Sequence, residues 1–131
     1  MNVIDSSAWL EYFAAGPNAE YFAAAIEATD ELVVPSITLY EVFRRVALQR
    51  GDSEALAAVA QMQQGSIVEL SGSIALDSAR TSLDLKLPIA GSVILTTARA
   101  SGATLWTQDA DFEAIDGVMY VKKPSGSNAS T

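Results

Sequence analysis

Short apolar runs alternate along this chain with longer stretches of helical periodicity. Met1 to Ile4 reads as a buried strand that ends on Asp5, and a helical pattern from Ala8 to Ala15 follows until Gly16-Pro17 breaks it. Asn18 opens a second helix, rich in alanine through Glu27. In ELVVPS, Leu32 to Val34 form a strand stopped by Pro35. From Ser36 to Arg50 the apolar positions Ile37, Val42, Phe43, Val46 and Ala47 fit a helix, and Gly51 terminates it. Ser53, with Glu54 beside it, is the expected cap of a helix to about Gln64. SIVEL is a further strand, and Ser73 to about Leu85 is helical. After the break at Leu87-Pro88, Ile89 to Ser101 forms a helix ended by Gly102. ATLWT is a strand, Asp109 to Phe112 a short turn or helix, and GVMYV a last strand. The remainder, KKPSGSNAST, is small and polar and is expected to fray.

Strands alternating with helices predict a single α/β domain over 1–123, with a flexible polar tail over 124–131. Its centre is a mainly parallel sheet of 4–5 strands with helices on both faces. In such sheets the site lies outside the carboxyl ends of the strands, where the strand order reverses. The residues just past the first strand and the ATLWT strand are therefore of interest. They are Asp5 and Asp109, both acidic.

Composition narrows the chemistry. Half of the 131 residues are apolar and 18% are charged, enough to build a core. There is no cysteine, so disulfides, thiolate metal sites and cysteine nucleophiles are excluded. There is also no histidine, which removes a Ser-His-Asp triad, a histidine-ligated zinc and an imidazole base. Any metal must be held by oxygen, which favours hard cations. The net charge of −8 argues against a broad basic grip on nucleic acid, though not against a metal-dependent nuclease with a few clustered cations. It also suits a basic protein partner. No apolar run is long enough to span a bilayer, and MNVIDSSAW has no basic flank, so a cytoplasmic protein without a membrane role is expected.

Each acid alone has an ordinary reading. Asp5 suits a helix cap, Glu41 a solvent-exposed helical position, and Asp109 and Asp111 a capped turn. Together, with Ser7 two residues after Asp5 and Thr107 two residues before Asp109, they form a constellation. VIDSSAW, PSITLYEV, LPIAGSVILTTA and LWTQDADF, in this order, resemble the successive motifs of PIN-domain ribonucleases, above all the VapC-type toxins of bacterial toxin–antitoxin pairs. The resemblance runs from Met1 to about Val121. It implies a Mg²⁺- or Mn²⁺-dependent endoribonuclease in which metal-bound water attacks the phosphodiester in line. The matching catalytic and metal positions are Asp5, Glu41 and Asp109, with Asp111 as auxiliary acid and Ser7 and Thr107 orienting them. It further implies an RNA substrate, a cognate antitoxin protein and a homodimer.

The chain departs from that pattern at one position. The helix after the LP dipeptide should carry an aspartate where Gly91 stands. Gly91 cannot ligate; Ser92 offers a neutral oxygen about 100° around the helix, and Asp84 lies before the proline break. Losing one of about four carboxylates lowers the affinity for a dication, so impaired activity is expected. The alternatives are a catalytically dead PIN domain kept for antitoxin binding and dimerisation, and, less favoured, an acid-cluster hydrolase of another kind. A structural use of Gly91 also exists, since glycine tolerates close approach near a helix start. Arg44 and Arg45 follow Glu41 and are candidate phosphate contacts or salt-bridge partners. Trp9, Tyr12, Phe13, Tyr21 and Phe22 have the spacing of packed helix faces rather than a base-stacking platform. Lys122 and Lys123 read as a solvated pair.

Overall fold

The computed structural model describes residues 1–125. Along the chain run β1 (Asn2–Ile4), α1 (Ser6–Phe13), α2 (Ala19–Glu27), β2 (Leu32–Pro35), α3 (Ser36–Arg50), α4 (Asp52–Met62), β3 (Ser66–Val68), α5 (Gly72–Leu85), α6 (Ile89–Ala100), β4 (Thr104–Thr107) and β5 (Val118–Tyr120). The five strands form one sheet in the order β3-β2-β1-β4-β5, and every pairing is parallel. Val3 stands opposite Val33 on β2 and Leu105 on β4.

The sheet is covered on both faces, as expected, and the alternation of side chains along the strands decides which residue serves which core. Ile4 and Val34 point to one side, where Trp9, Phe22, Ile26, Val42 and Met62 from the first four helices cover them. Val3, Val33 and Leu105 point to the other side, against Ile94 and Leu95 of α6 and against Phe112. Helix α6 is buried without interruption from Gly91 to Ala98, and α5 packs on it. Its buried hydroxyls find partners within the fold: Thr96 donates to Thr81 Oγ1 of α5 at 3.0 Å, and two others bond their own helix. Ser92 donates to the Ile89 carbonyl at 2.8 Å and Thr97 to the Val93 carbonyl at 2.8 Å. Of the early aromatics, Trp9 and Phe22 are core and fully buried, Trp9 stacks on the half-buried Phe13 with ring centroids 5.6 Å apart, and Tyr21 is exposed.

Several expected boundaries move, each for a local reason. Helix α1 begins at Ser6 rather than Ala8, because Asp5 accepts the Ser7 N–H and so caps the turn before it. It ends at Phe13, with Ala15 in the left-handed region at φ 52°. Ser53 caps nothing. Gly51, at φ 92° and ψ 169°, ends α3 and starts α4 within one residue, so α4 begins at Asp52. Ser71, rather than a residue nearer Ser73, caps α5 by accepting from the Ile74 N–H at 3.1 Å. SIVEL contributes only Ser66 to Val68, since its neighbour β2 ends opposite Val68 at Pro35. Of the expected tail, Pro124 and Ser125 are described; residues 126–131 lie outside the described residues.

Candidate active site at the carboxyl ends of β1 and β4

From β1 the chain winds outward through β2 to β3, then returns to place β4 on the other side of β1. The strand order therefore reverses at β1, and the crevice belongs beyond the ends of β1 and β4. A cleft of about 1130 Å³ lies there, lined among others by Asp5, Ser7, Glu41, Arg44, Arg45, Gly91 and Asp109.

Asp5 extends the sheet by one residue, its N–H donating to the Trp106 carbonyl at 2.9 Å. Its Oδ2 accepts from Ser7 Oγ at 2.6 Å, Thr107 Oγ1 at 2.9 Å and the Ser7 N–H at 3.3 Å. All three bonds fall on Oδ2, which leaves Oδ1 as the oxygen available to a ligand. The helix cap and the site acid are thus one residue, and the two readings of Asp5 do not compete. The carboxyl is 5% exposed. Burial pushes it above the ordinary carboxylate range; the Ser7 and Thr107 hydrogen bonds counter part of the rise, and the charge of Asp109 adds to it.

Thr107 joins the two strand ends. Its buried hydroxyl donates to Asp5 and accepts from the Asp109 N–H at 2.9 Å, so one side chain sets both acids. Asp109 in turn caps the 3-10 turn Ala110–Phe112 by accepting from the Asp111 N–H at 2.9 Å. Glu41 reaches the cleft from α3 and accepts from Ser6 Oγ at 2.6 Å. It is half-buried rather than solvent-exposed, because that bond ties α3 to the first residue of α1.

The remaining candidates divide. Asp111 is exposed and does not line the cleft; its link to the site is the backbone N–H that it gives Asp109. Arg44 and Arg45 do line it. Neither takes part in an ion pair: among the described residues the ion pairs join the Met1 amino group to Glu31 and Arg50 to Glu54. The salt-bridge reading of those arginines is therefore set aside. Ser92 is turned to its own helix, and Asp84 is exposed and outside the lining.

Gly91, the third residue of α6, is buried at the edge of the cleft. A Cβ at this position would stand 3.2 Å from Cζ of Phe112, whose ring is fully buried, and 3.9 Å from Pro88 Cδ. The ring has closed up on the helix where a side chain would emerge. Close approach at Gly91 is thus a feature of the packing, alongside the absence of a ligand.

A hard divalent cation fits the acids in kind, since Asp5, Glu41 and Asp109 offer oxygens to the cleft and the neighbouring charges of Asp5 and Asp109 repel without a counter-charge. It is undersupplied in number. Among the described residues no group of three acids stands close enough to hold a metal ion. Sequence reasoning also missed one polar residue lining the site. Gln108, 6% exposed, gives its backbone N–H to Ser7 Oγ at 3.3 Å, and its Oε1 accepts from Asn18 Nδ2 at 3.0 Å. The only signal was an amide lodged between Thr107 and Asp109.

With this geometry in place, the comparisons with known proteins agree. The sequence matches the PIN domain family over residues 3–118, and the chain belongs to that family. No curated protein matches it in sequence. Among solved structures it is similar to a toxin–antitoxin complex from Klebsiella pneumoniae, at 24% identity and TM-score 0.74, covering 90% of this chain and 95% of the other. It is similar to the VapC20 toxin of Mycobacterium tuberculosis, which cleaves the sarcin–ricin loop, at 16% identity and TM-score 0.74, covering 91% and 98%. VapBC2 of Rickettsia felis, bound to a DNA fragment from its promoter, shares 15% identity at TM-score 0.70, covering 92% and 97%. At these identities the likeness is one of fold.

Proposed function

We propose that this chain is a VapC-type toxin, built as a Mg²⁺- or Mn²⁺-dependent endoribonuclease and weakened by glycine at position 91. The reading rests on one observation above others: Asp5 and Asp109, from adjacent strand ends, are oriented by a single buried hydroxyl, Thr107, in a chain of the PIN family. Asp5, Asp109 and Glu41, which do not stand close enough together here to form a three-acid site, would draw in around the metal, with Asp111 as auxiliary acid and Ser7 and Thr107 behind them. When bound, the ion would lower the pKa of a water and offset charge developing on the phosphate. The protein's own part is orientation. The Ser7 and Thr107 hydroxyls keep Oδ2 of Asp5 fixed and its other oxygen forward, the Ser6 hydroxyl holds Glu41, and Arg44 and Arg45 meet the phosphate backbone. The partners that follow from this reading are an RNA substrate, a cognate antitoxin and a second copy of the chain, in the cytoplasm.

The second reading, a PIN domain retained for antitoxin binding and dimerisation without cleavage, is favoured by the ring of Phe112 against Gly91 and by the shortage of converging acids. The two are separated by incubating the purified chain with mixed RNA and Mn²⁺, beside Asp5→Ala. Slow cleavage that Asp5→Ala abolishes supports the enzyme; no cleavage, with tight binding of an antitoxin, supports the binding module.

A further inference from the structure

The cleft carries cations on both sides of β1. Arg44 and Arg45 stand on α3, which packs on the β2 side of the sheet. Lys123 follows β5, on the β4 side, and lines the same cleft. No ion pair within 4.0 Å involves Lys123 among the described residues, where the paired groups are Met1 with Glu31 and Arg50 with Glu54.

The backbone that carries Lys123 is pinned. The Val121 N–H donates to the Thr107 carbonyl at 3.1 Å, which carries the chain past the end of β4. The Lys122 carbonyl then accepts from Asn18 Nδ2 at 3.0 Å. The same nitrogen donates to Oε1 of buried Gln108 at 3.0 Å. Gln108 in turn gives its N–H to Ser7 Oγ, the hydroxyl that donates to Asp5. An unbroken series of hydrogen bonds thus links the central acid to the peptide beside Lys123. Lys123 itself is exposed, and the anchorage fixes where its side chain leaves the backbone; fixing Asn18 and Gln108 costs side-chain entropy that a loose segment would avoid.

We propose that Lys123 is a phosphate-binding residue of the cleft, positioned by Asn18, and that it grips a single RNA strand on the side of the acid pair opposite Arg44 and Arg45. The proposal rests on the ribonuclease reading and adds a contact to it. A chain with net charge −8 and an acidic centre repels a polyanion, so a strand crossing Asp5 and Asp109 must be held by cations on both sides of them. Cations on α3 alone would leave the strand free to swing away from the acids.

The test is binding of a short fluorescent single-stranded RNA to the full chain without divalent ions, followed by anisotropy from low to moderate salt. Lys123→Ala should lower the slope of log affinity against log salt by about 0.7, or roughly fivefold in affinity at 0.1 M salt. Lys123→Arg should restore the slope, and Arg80→Ala, on exposed α5 away from the cleft, should not change it. Asn18→Ala should weaken binding in the parent chain and have no further effect once Lys123 is alanine. If Arg44→Ala lowers the slope and Lys123→Ala does not, the proposal is overturned and the RNA reading survives. If Asn18→Ala weakens binding equally with and without Lys123, its positioning role is overturned. If no version binds RNA in a salt-dependent way, both the proposal and the ribonuclease reading fall.

Discussion

Adding one methyl group at position 91 measures how firmly Phe112 has closed on α6. In Gly91→Ala the new Cβ would stand 3.2 Å from Phe112 Cζ, so the buried ring must give way by a few tenths of an ångström. Two effects of similar size then compete. Replacing glycine by alanine within a helix gains about 1 kcal/mol, somewhat less in a first turn. Crowding a packed core costs about 1–3 kcal/mol when the neighbours cannot yield. We expect them nearly to cancel, leaving Gly91→Ala neutral to mildly destabilising. In a Phe112→Leu background the shorter side chain removes the obstacle, and the same change should stabilise by about 1 kcal/mol. Urea denaturation of the four proteins gives this cycle directly. With a slope near 2 kcal/mol per molar, 1 kcal/mol moves the midpoint by about 0.5 M. If Gly91→Ala stabilises the parent by its full helical gain, with no coupling to Phe112, the ring does not crowd this position. Gly91 would then have no packing role and would be simply a missing ligand.

Other outcomes follow from the same geometry. Asp5 is buried with its pKa raised above the unfolded 3.8, so the folded state holds its proton to higher pH than the unfolded state does. Stability should therefore fall as pH rises from that value through the folded pKa, and Asp5→Asn should flatten this part of a thermal-melt profile; a steeper profile in the variant would contradict it. Thr107→Val strands the Asp109 N–H and loosens Asp5, for a loss of about 1–3 kcal/mol by urea denaturation; a change within error would show that water replaces the hydroxyl. Millimolar Mn²⁺ should raise the melting temperature of the parent chain slightly, more in Gly91→Asp, and not at all in Asp5→Ala with Asp109→Ala. An equal rise in all three would mark the binding as nonspecific.

The sheet was legible because its strands are short apolar runs, two of them closed by Asp5 and Pro35, and a buried parallel strand such as LVVP needs no alternation. The parallel direction was legible in the alternation of strands and helices, but the order β3-β2-β1-β4-β5 was not, since pairing is decided across the fold. The acids were found because the end of a strand is a position visible in sequence. Their arrangement was not. That Thr107 serves Asp5 and Asp109 together depends on β1 and β4 lying side by side, although Thr107 and Asp5 are 102 apart in sequence. Glu41 read as exposed because its partner, Ser6, belongs to another helix.

The central claim is that glycine at position 91 weakens a carboxylate site whose remaining acids are Asp5, Glu41 and Asp109. Mn²⁺-dependent cleavage of RNA tests it most directly, comparing the parent chain with Gly91→Asp, Gly91→Asp with Asp5→Ala, and Gly91→Asp with Phe112→Leu. The account predicts at least tenfold faster cleavage by Gly91→Asp, worth about 1.4 kcal/mol of barrier, a further gain when the Phe112 ring is shortened, and its loss without Asp5. A parent chain that cleaves as fast as Gly91→Asp, with the same dependence on Asp5, would contradict it.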